Sequence, residues 1–163
     1  MAPATKQVTI REFEPGDETA FRELNEEWIT RYFRLEAKDR ESLYDAHSHI
    51  LTPGGRIFFA VIDGQRVGCC ALVPCLAPCG DGDFEVAKMA VTAKCQGSGI
   101  GRKLLTAVVE AARDSGVRRL HLETNHILTP AIRLYESLGF RHVTPSVPSP
   151  YARADVFMEM LLR

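Results

Sequence analysis

The sequence predicts one domain of the mixed α/β class, and three observations lead to that prediction. The 163 residues are 45% hydrophobic and 25% charged, which is the composition of one ordinary globular domain. Segments with apolar residues at every second position alternate with segments whose apolar residues recur at helical spacing. No repeat, low-complexity tract or linker divides the chain, so we expect residues 1–163 to form a single domain.

The amino-terminal half is predicted to hold two helices and an antiparallel meander. "QVTIREF" indicates a first strand, and Asp17 is expected to cap a helix that carries Phe21 and Leu24 on its buried face. A second helix is expected from about residue 36 to residue 47. "RIFFAVID" and "RVGCCALVP" then indicate a hairpin, and "DFEVAKMAV" indicates a third strand beside it.

The carboxyl-terminal half is predicted to alternate helices and strands. An apolar stripe predicts a helix over residues 99–115, and "VRRLHLET" predicts the strand that follows it. Thr129 is expected to be the N-cap of another helix, with Pro130 at its first position and an end at Gly139. "FRHV" and "ADVFMEMLL" indicate the last strands.

Charge and cysteine content exclude several classes of function. The formal net charge is −1 and the sequence pI is about 6.5, which argues against a nucleic-acid or membrane-surface binder. No signal segment or membrane-spanning run is recognisable, and five cysteines favour reduced thiols, so we expect a cytoplasmic protein. Cys75 and Cys79 have a metal-like spacing but no second pair of ligands, so no metal is expected.

The stretch "CQGSGIGRKLL" at residues 95–105 indicates an anion site at the start of a helix. It is not a dinucleotide fingerprint, because Arg102 stands where the third glycine would be, and it lacks the Gly-Lys-Ser/Thr ending of a P-loop. Unpaired amides at a helix N-terminus, with Arg102 and Lys103 nearby, suit a pyrophosphate. The alternative is a flexible turn without a ligand.

Two motifs resemble those of the GNAT acetyltransferases. Gln96-x-x-Gly99-x-Gly101 matches the family's Q/R-x-x-G-x-G/A signature, and "AIRLYESLGF" at 131–140 is similar to its carboxyl-terminal motif. The resemblance implies a central mixed, mostly antiparallel sheet of six to seven strands flanked by about four helices. It also implies acetyl-CoA as the cofactor, with no metal, and a homodimer is possible because dimers are common in the family.

The resemblance places the cofactor on a strand edge and on the glycine loop. The backbone of the strand before the loop would bind pantetheine and the acetyl carbonyl, and the loop would bind the pyrophosphate. The implied residues are Met89, Ala90, Val91, Gln96, Gly97, Ser98, Gly99, Ile100, Gly101 and Arg102. Asn125 would add a side-chain contact to pantetheine, with turn formation as the alternative, whereas the asparagine that many members carry in the last motif is Leu128 here.

Catalytic roles are implied for two side chains. Tyr135, in the last motif, would be the general acid towards the CoA thiolate, with a core tyrosine as the alternative. Glu85 would be the general base, because the two-residue period of a strand places it on the same side as Met89. A solvent-facing glutamate, or one paired with Lys88, is the competing interpretation.

The acceptor is predicted to be a small primary amine such as an amino acid. Trp28, Tyr32 and Glu36 would cover the acceptor site, with core packing as the alternative for the two aromatic residues. Tyr151 and Arg153 would contribute too, Arg153 clamping a substrate carboxylate unless it pairs with Asp155 or Glu159.

Direct transfer in a ternary complex is expected, because no nucleophile is well placed. The alternatives are a protein lysine or N-terminal acetyltransferase and a non-catalytic acyl-CoA-binding module.

Overall fold

The structure is a computed structural model, and it describes residues 6–75, 82–145 and 148–162. Its elements in chain order are β1 (Thr9–Glu12), α1 (Glu18–Tyr32), α2 (Ala37–Tyr44), β2 (Arg56–Ile62), β3 (Gln65–Pro74), β4 (Asp83–Val91), α3 (Ile100–Asp114), β5 (Arg119–Thr124), α4 (Thr129–Ser137), β6 (Arg141–His142) and β7 (Val156–Leu161). A turn of π-helix spans His47–Leu51, and a 3₁₀ turn spans Ala93–Cys95.

All seven strands form one sheet in the order β1-β2-β3-β4-β5-β7-β6. Neighbouring strands are antiparallel except β4 and β5, which are parallel. This confirms the predicted mixed, mostly antiparallel sheet with its antiparallel meander. β4 pairs with β5 only from Asp83 to Glu85, so the two strands separate beyond that point and leave one edge of β4 open.

A hydrophobic core lies on each face of the sheet. The α3-side core contains Leu104, Leu105 and Val108, all fully buried, and it includes the whole predicted stripe of α3. The α1-side core is built around Phe21 and Phe59, also fully buried. The apolar positions read from the sequence therefore face inwards on both sides.

A β-bulge interrupts β4 where the strand leaves β5. Ala87 lies opposite Ala71 and Ala90 opposite Cys69, so β4 has one more residue than β3 between these pairs. Lys88 takes up the extra residue with φ +54, a left-handed conformation that costs energy for a residue with a side chain. Because one residue is inserted, the alternation of faces along β4 is inverted after the bulge.

One of the two predicted N-caps has the right residue, and the other is wrong. Asp17 is the N-cap residue of α1, but the Asp17 carboxylate accepts hydrogen bonds from Arg11 at 2.7 Å and from the Glu14 N–H at 2.8 Å and makes no capping bond to the helix. Leu128, and not Thr129, occupies the N-cap of α4, directly after a turn in which Ile127 N–H donates to Asn125 Oδ1.

Three predicted boundaries differ from the structure. The first strand is shorter than "QVTIREF", and α2 ends at Tyr44, where the chain passes into the π-helical turn. Of the segment "FRHV", only Arg141 and His142 are paired in the sheet. Within the described ranges, no helix is long and apolar enough to cross a membrane.

Candidate active site

A cleft of about 670 Å³ opens where β4 and β5 separate. One end is formed by the glycine loop and the first turn of α3, and the other by α1, β5 and the segment around Tyr151. Eleven of the residues predicted to contact the cofactor line this cleft, counting Tyr135, whose predicted role is to donate a proton to the CoA thiolate. Those that line the cleft are Met89, Ala90, Val91, Gln96, Gly97, Gly99, Ile100, Gly101, Arg102, Asn125 and Tyr135.

The glycine loop presents a row of unpaired amides at the N-terminus of α3. In the described part of the chain, the N–H groups of residues 97–102 donate to no backbone carbonyl, and the first bond of the helix runs from Lys103 N–H to Gly99 O at 3.1 Å. Gly97 and Gly99 have φ near +80, and a Cβ at either position would meet nothing within 4 Å. This geometry favours a bound anion over an empty turn.

Side chains in and beside the glycine loop bind other protein groups and so hold the loop in shape. Gln96 Nε2 donates to Val91 O at 3.2 Å and so ties the loop to the end of β4. The Ser98 hydroxyl donates to Cys95 O, and Arg102 donates to Ser137 Oγ at 2.8 Å. Because Ser98 points back towards the 3₁₀ turn and does not line the cleft, its predicted contribution rests on its backbone amide.

Glu85 lies in the cleft, but on the face opposite Met89. It is paired with Val73, which belongs to the α1-side core, whereas Met89 packs against the α3-side core. The predicted shared face is therefore wrong, because the bulge inverts the alternation between the two residues. Glu85 thus shares its face with Ala90, a residue of the α1-side core.

The surroundings of Glu85 raise its pKa to about 7. Burial is the main cause, the negative charge of Glu123 adds to it, and the positive charge of Lys88 opposes it. The partner expected in the competing interpretation is engaged elsewhere: the Lys88 ammonium donates to Asp39 Oδ1 at 2.8 Å and to the Tyr151 hydroxyl at 3.1 Å. A carboxyl group that titrates near neutrality is suited to accept a proton from an amine.

Tyr135 belongs both to the core and to the cleft. Only 8% of the residue is exposed, and its ring lies 6.0 Å from that of Phe140 in an edge-to-face arrangement. Burial raises the pKa of its hydroxyl, so the phenol keeps its proton at neutral pH. The two interpretations of Tyr135 are thus compatible, because a core position holds the ring while the cleft gives access to it.

Asn125 forms the turn that the alternative interpretation expected. Its Oδ1 accepts from Ile127 N–H at 2.9 Å, and its Nδ2 donates to Arg153 O at 2.7 Å. The side chain therefore positions the segment that carries Arg153, and its predicted contact with pantetheine stays a prediction.

Arg153 is paired with Asp39, which the sequence analysis did not identify. Two guanidinium nitrogens donate to the two carboxylate oxygens at 2.7 Å each, and a further bond of 3.2 Å reaches Glu36. The alternative partners Asp155 and Glu159 are wrong, because His126 binds the first, and Arg119 and Arg141 bind the second. We call Glu36, Asp39, Lys88, Tyr151 and Arg153 the acceptor network.

We call the end of the cleft away from the glycine loop the acceptor end, because the acceptor is predicted to bind there. The predicted aromatic residues form one wall of this end. The rings of Trp28 and Tyr32 are 5.4 Å apart, and Phe33 lies 6.3 Å from each. Tyr32 is 39% exposed and Trp28 only partly buried, so neither is a closed core residue. All three line the cleft.

Three residues of the acceptor end escaped the sequence analysis: Asp39, Lys88 and Glu123. Asp39 and Arg153 are separated by 114 positions, and no local pattern joins them. Asp39 forms a capping box with Glu36 at the start of α2, which was readable from the sequence. The box accounts for only one of the four hydrogen bonds that the Asp39 carboxylate accepts.

Two of the cysteines that the structure describes are poorly suited to be nucleophiles. Cys69 and Cys70 are fully buried, and burial raises the pKa of Cys69 to about 12. Cys95, the predicted poor candidate, is partly buried where the glycine loop begins. Cys79, named in the metal-like spacing, lies outside the described residues.

Known proteins resemble this chain in both sequence and fold. Residues 19–140 match the model of the Acetyltransferase (GNAT) family. An uncharacterised N-acetyltransferase of Escherichia coli K12, YjgM, is 28% identical over 145 residues, covering 87% of this chain and 84% of the relative. The N-acetylaspartate synthetase of Homo sapiens is 34% identical over 113 residues, but these span only 69% of this chain and 36% of that protein.

Solved structures share the whole fold. A GNAT acetyltransferase of Staphylococcus aureus Mu50 superposes with a TM-score of 0.84 at 20% identity, over 96% of this chain and all of that one. The structure of yncA from Salmonella typhimurium, solved with its cofactor acetyl-CoA, gives a TM-score of 0.74 at 22% identity, over 96% and 95% of the two chains.

Proposed function

Because the chain belongs to the GNAT acetyltransferase family, an acyl-CoA-dependent class that takes its acetyl group from acetyl-CoA, we propose that it acetylates a primary amine of a small molecule. The transfer is direct, within a complex that holds both substrates. The observation that carries the proposal is Glu85, a carboxyl group of pKa about 7 in the cleft whose other end is the amide row of residues 97–102.

The donor lies along the open edge of β4. The amides of residues 97–102 bind the pyrophosphate, with the positive end of the α3 dipole behind them. Pantetheine, an extended chain with two amides, pairs with the edge of β4 that β5 leaves free. Acetyl-CoA supplies an acetyl group activated as a thioester.

Glu85 and Tyr135 move the protons. Glu85 accepts a proton from the substrate ammonium, directly or through water, and the neutral nitrogen forms a bond to the acetyl carbonyl carbon. Backbone N–H groups at the β4 bulge stabilise the negative charge that develops on the carbonyl oxygen. As the bond to sulfur breaks, Tyr135 donates its proton to the leaving thiolate.

The acceptor network favours a small molecule over a protein substrate. Ala152 N–H and Arg153 both donate to Glu36, and Arg153 also binds Asp39, so the segment before β7 is tied to α2 across the acceptor end. With Trp28 and its aromatic neighbours on another wall, this closure narrows the cleft. A protein acetyltransferase needs an open groove along which a peptide can lie.

The predicted carboxylate clamp finds less support than the amine site. Arg153 already holds a buried carboxylate, so a substrate carboxylate at this position would compete with Asp39. Glu85 and Glu123 add negative charge to the cleft, which attracts an ammonium and repels a second carboxylate. The name of the N-acetylaspartate synthetases suggests an amino-acid acceptor. Amino acids therefore belong in the test beside monoamines and diamines that carry no carboxylate.

A screen of acceptors tests the proposal. The full chain is mixed with acetyl-CoA and, one at a time, monoamines, diamines, amino acids including aspartate, and lysine-containing or free N-terminal peptides, and thiol release is followed. We expect release above the amine-free rate with at least one small amine and none with peptides. Release with peptides alone would support the protein acetyltransferase, and tight acetyl-CoA binding without any release would support the non-catalytic module.

The predicted compartment and assembly are proposals of the same kind. Among the described cysteines, Cys69, Cys70 and Cys95 are not joined in disulfides, which suits the reducing conditions of a cytoplasm. Light scattering of the purified chain tests the predicted homodimer.

A further inference from the structure

Lys88 adopts a backbone conformation that glycine would adopt at no cost. Among the described non-glycine residues only Asp63, in the turn between β2 and β3, and Lys88 have a positive φ, and Lys88 does so within a strand. A side chain kept at such a position contributes something that glycine cannot. The contribution is therefore to be found in the contacts of the lysine side chain.

The Lys88 ammonium is fixed on three sides. It donates to Asp39 at 2.8 Å and to the Tyr151 hydroxyl at 3.1 Å, and it lies 4.8 Å from the centre of the Tyr151 ring. Its side chain is 9% exposed, and that of Asp39 is fully buried. Asp39 is itself fixed by Arg153 and by the Glu36 N–H, so the lysine is anchored to a rigid partner.

The anchored residue is the one that redirects β4. The extra residue at Lys88 inverts the faces of the strand, so Glu85 and Ala90 face α1 while Met89 faces α3. The same residue lies where β4 has left β5, beside the edge on which the proposed function places the thioester. A shift of the bulge would therefore displace the base and the acyl-binding backbone together.

We infer that Lys88 is a positioning residue for acetyl transfer: anchored by Asp39, its side chain holds the β4 bulge in the conformation that sets the strand edge against the acyl group. The inference rests on the proposed function. Lys88 also lowers the pKa of Glu85 by its charge, against the effects of burial and of Glu123 on β5. The other charged or titratable groups near these residues are His121, the register partner of Glu85 on β5, Tyr151 and Arg153 before β7, and Asp39 on α2.

Binding of acetyl-CoA and of CoA separates positioning from general damage. Lys88→Met removes the anchor and leaves the loop amides unchanged. We expect the ratio of the affinity for acetyl-CoA to the affinity for CoA to fall about fivefold, which is the effect of one hydrogen bond. Calorimetry with both ligands measures this ratio without requiring turnover. An unchanged ratio would overturn the inference, even if no amine were acetylated and the proposed function failed.

Kinetics give a second readout. We expect kcat of Lys88→Met to fall on the order of tenfold or more, as a displaced reacting group does, and the acidic limb of the pH profile to move to higher pH. In Lys88→Arg, which keeps the positive charge, we expect the acidic limb to stay at the pH of the wild type. A purely structural lysine would lower the melting temperature and leave unchanged both the ligand ratio and the kcat at high pH, where Glu85 is ionised. The limb would move in either case, because the charge of Lys88 acts on Glu85.

Two further variants keep the test decisive. Lys88→Gly loses the same anchor but relieves the backbone strain that Lys88→Met retains, so it is the second variant if Lys88→Met does not fold. Its full kcat and wild-type ligand ratio would equally contradict the inference. Lys38→Met is the matched control, since Lys38 lies on α2 with 58% of its side chain exposed, and we expect it to behave as the wild type.

Discussion

The two ends of the cleft are built in different ways. The cofactor end consists of backbone amides from one continuous stretch, residues 97–102, at the start of α3. The acceptor end consists of side chains from segments far apart in the chain, among them Glu36, Asp39, Lys88 and Arg153. A backbone site suits a donor shared by a whole family, whereas a side-chain network can change its acceptor without disturbing the donor.

Substitution of Gly99 by glutamate should have the largest effect, and it is confined to the cofactor end. A carboxylate about 4 Å from a phosphate charge costs about 4 kcal/mol near a protein surface, which is about a thousandfold in Kd. Calorimetry with acetyl-CoA measures the loss. Gly64→Glu is the control, because Gly64 has a similar φ of +76 and open space around its Cβ but lies in the turn between β2 and β3.

Asp39→Asn should destabilise the acceptor end without touching the loop. The substitution removes the negative charge that faces the Lys88 ammonium and the Arg153 guanidinium. We therefore expect the free energy of unfolding to fall by about 3 kcal/mol at pH 7. The pKa of Asp39 is lowered in the folded state by its bonds to Arg153 and Lys88, although burial opposes this. Its contribution is therefore present above the unfolded pKa of about 4 and fades as the pH falls below it.

Urea unfolding at several pH values checks the Asp39 prediction. Asp63→Asn, at a residue whose side chain is 71% exposed, is the matched control and should cost almost nothing. A difference between Asp39→Asn and the wild type that stays constant down to pH 2 would show that the charge of Asp39 is not the cause.

Glu85→Gln should slow catalysis while leaving the donor bound. Loss of a general base costs on the order of a hundredfold in kcat, and the Kd for acetyl-CoA should not change. In the wild type, kcat/KM should rise with pH through about 7, because the carboxylate is the active form. In the variant this limb should be missing, and Glu110→Gln, on the exposed side of α3, should keep it.

Tyr135→Phe should give the smallest of these effects. The ring stays in the core, so stability changes little, while the loss of the proton donor lowers kcat by about tenfold, or about 1.4 kcal/mol. The loss is modest because a thiolate leaves readily without a proton. If kcat is unchanged and the melting temperature falls, Tyr135 is a core residue alone.

The contrast between the two ends also explains which features can be predicted from the sequence and which cannot. Residue spacing within one segment reveals the apolar stripe of α3 and the glycine loop, because both are local. The face of Glu85 was predicted wrongly, since a single inserted residue at Lys88 inverts a period of two and leaves no mark in the pattern. The Asp39–Arg153 pair exists only once the sheet has brought α2 and the segment before β7 together.

The starts of α1 and α4 show where residue type alone does not predict a capping bond. Asp17 is a good N-cap residue by type, but arginines from β1 and β3 take its carboxylate. Thr129 is also a good N-cap residue by type, but Leu128, which follows the turn at Asn125, occupies that position.

The most direct test is the initial velocity measured over a range of both substrates, using the best amine of the screen, with the products identified by mass spectrometry. We expect the amine to gain one acetyl group for each CoA released, and reciprocal plots that intersect, because both substrates are bound before transfer. Parallel plots with an acetylated protein intermediate, or CoA release without an acetylated amine, would contradict direct transfer in this cleft.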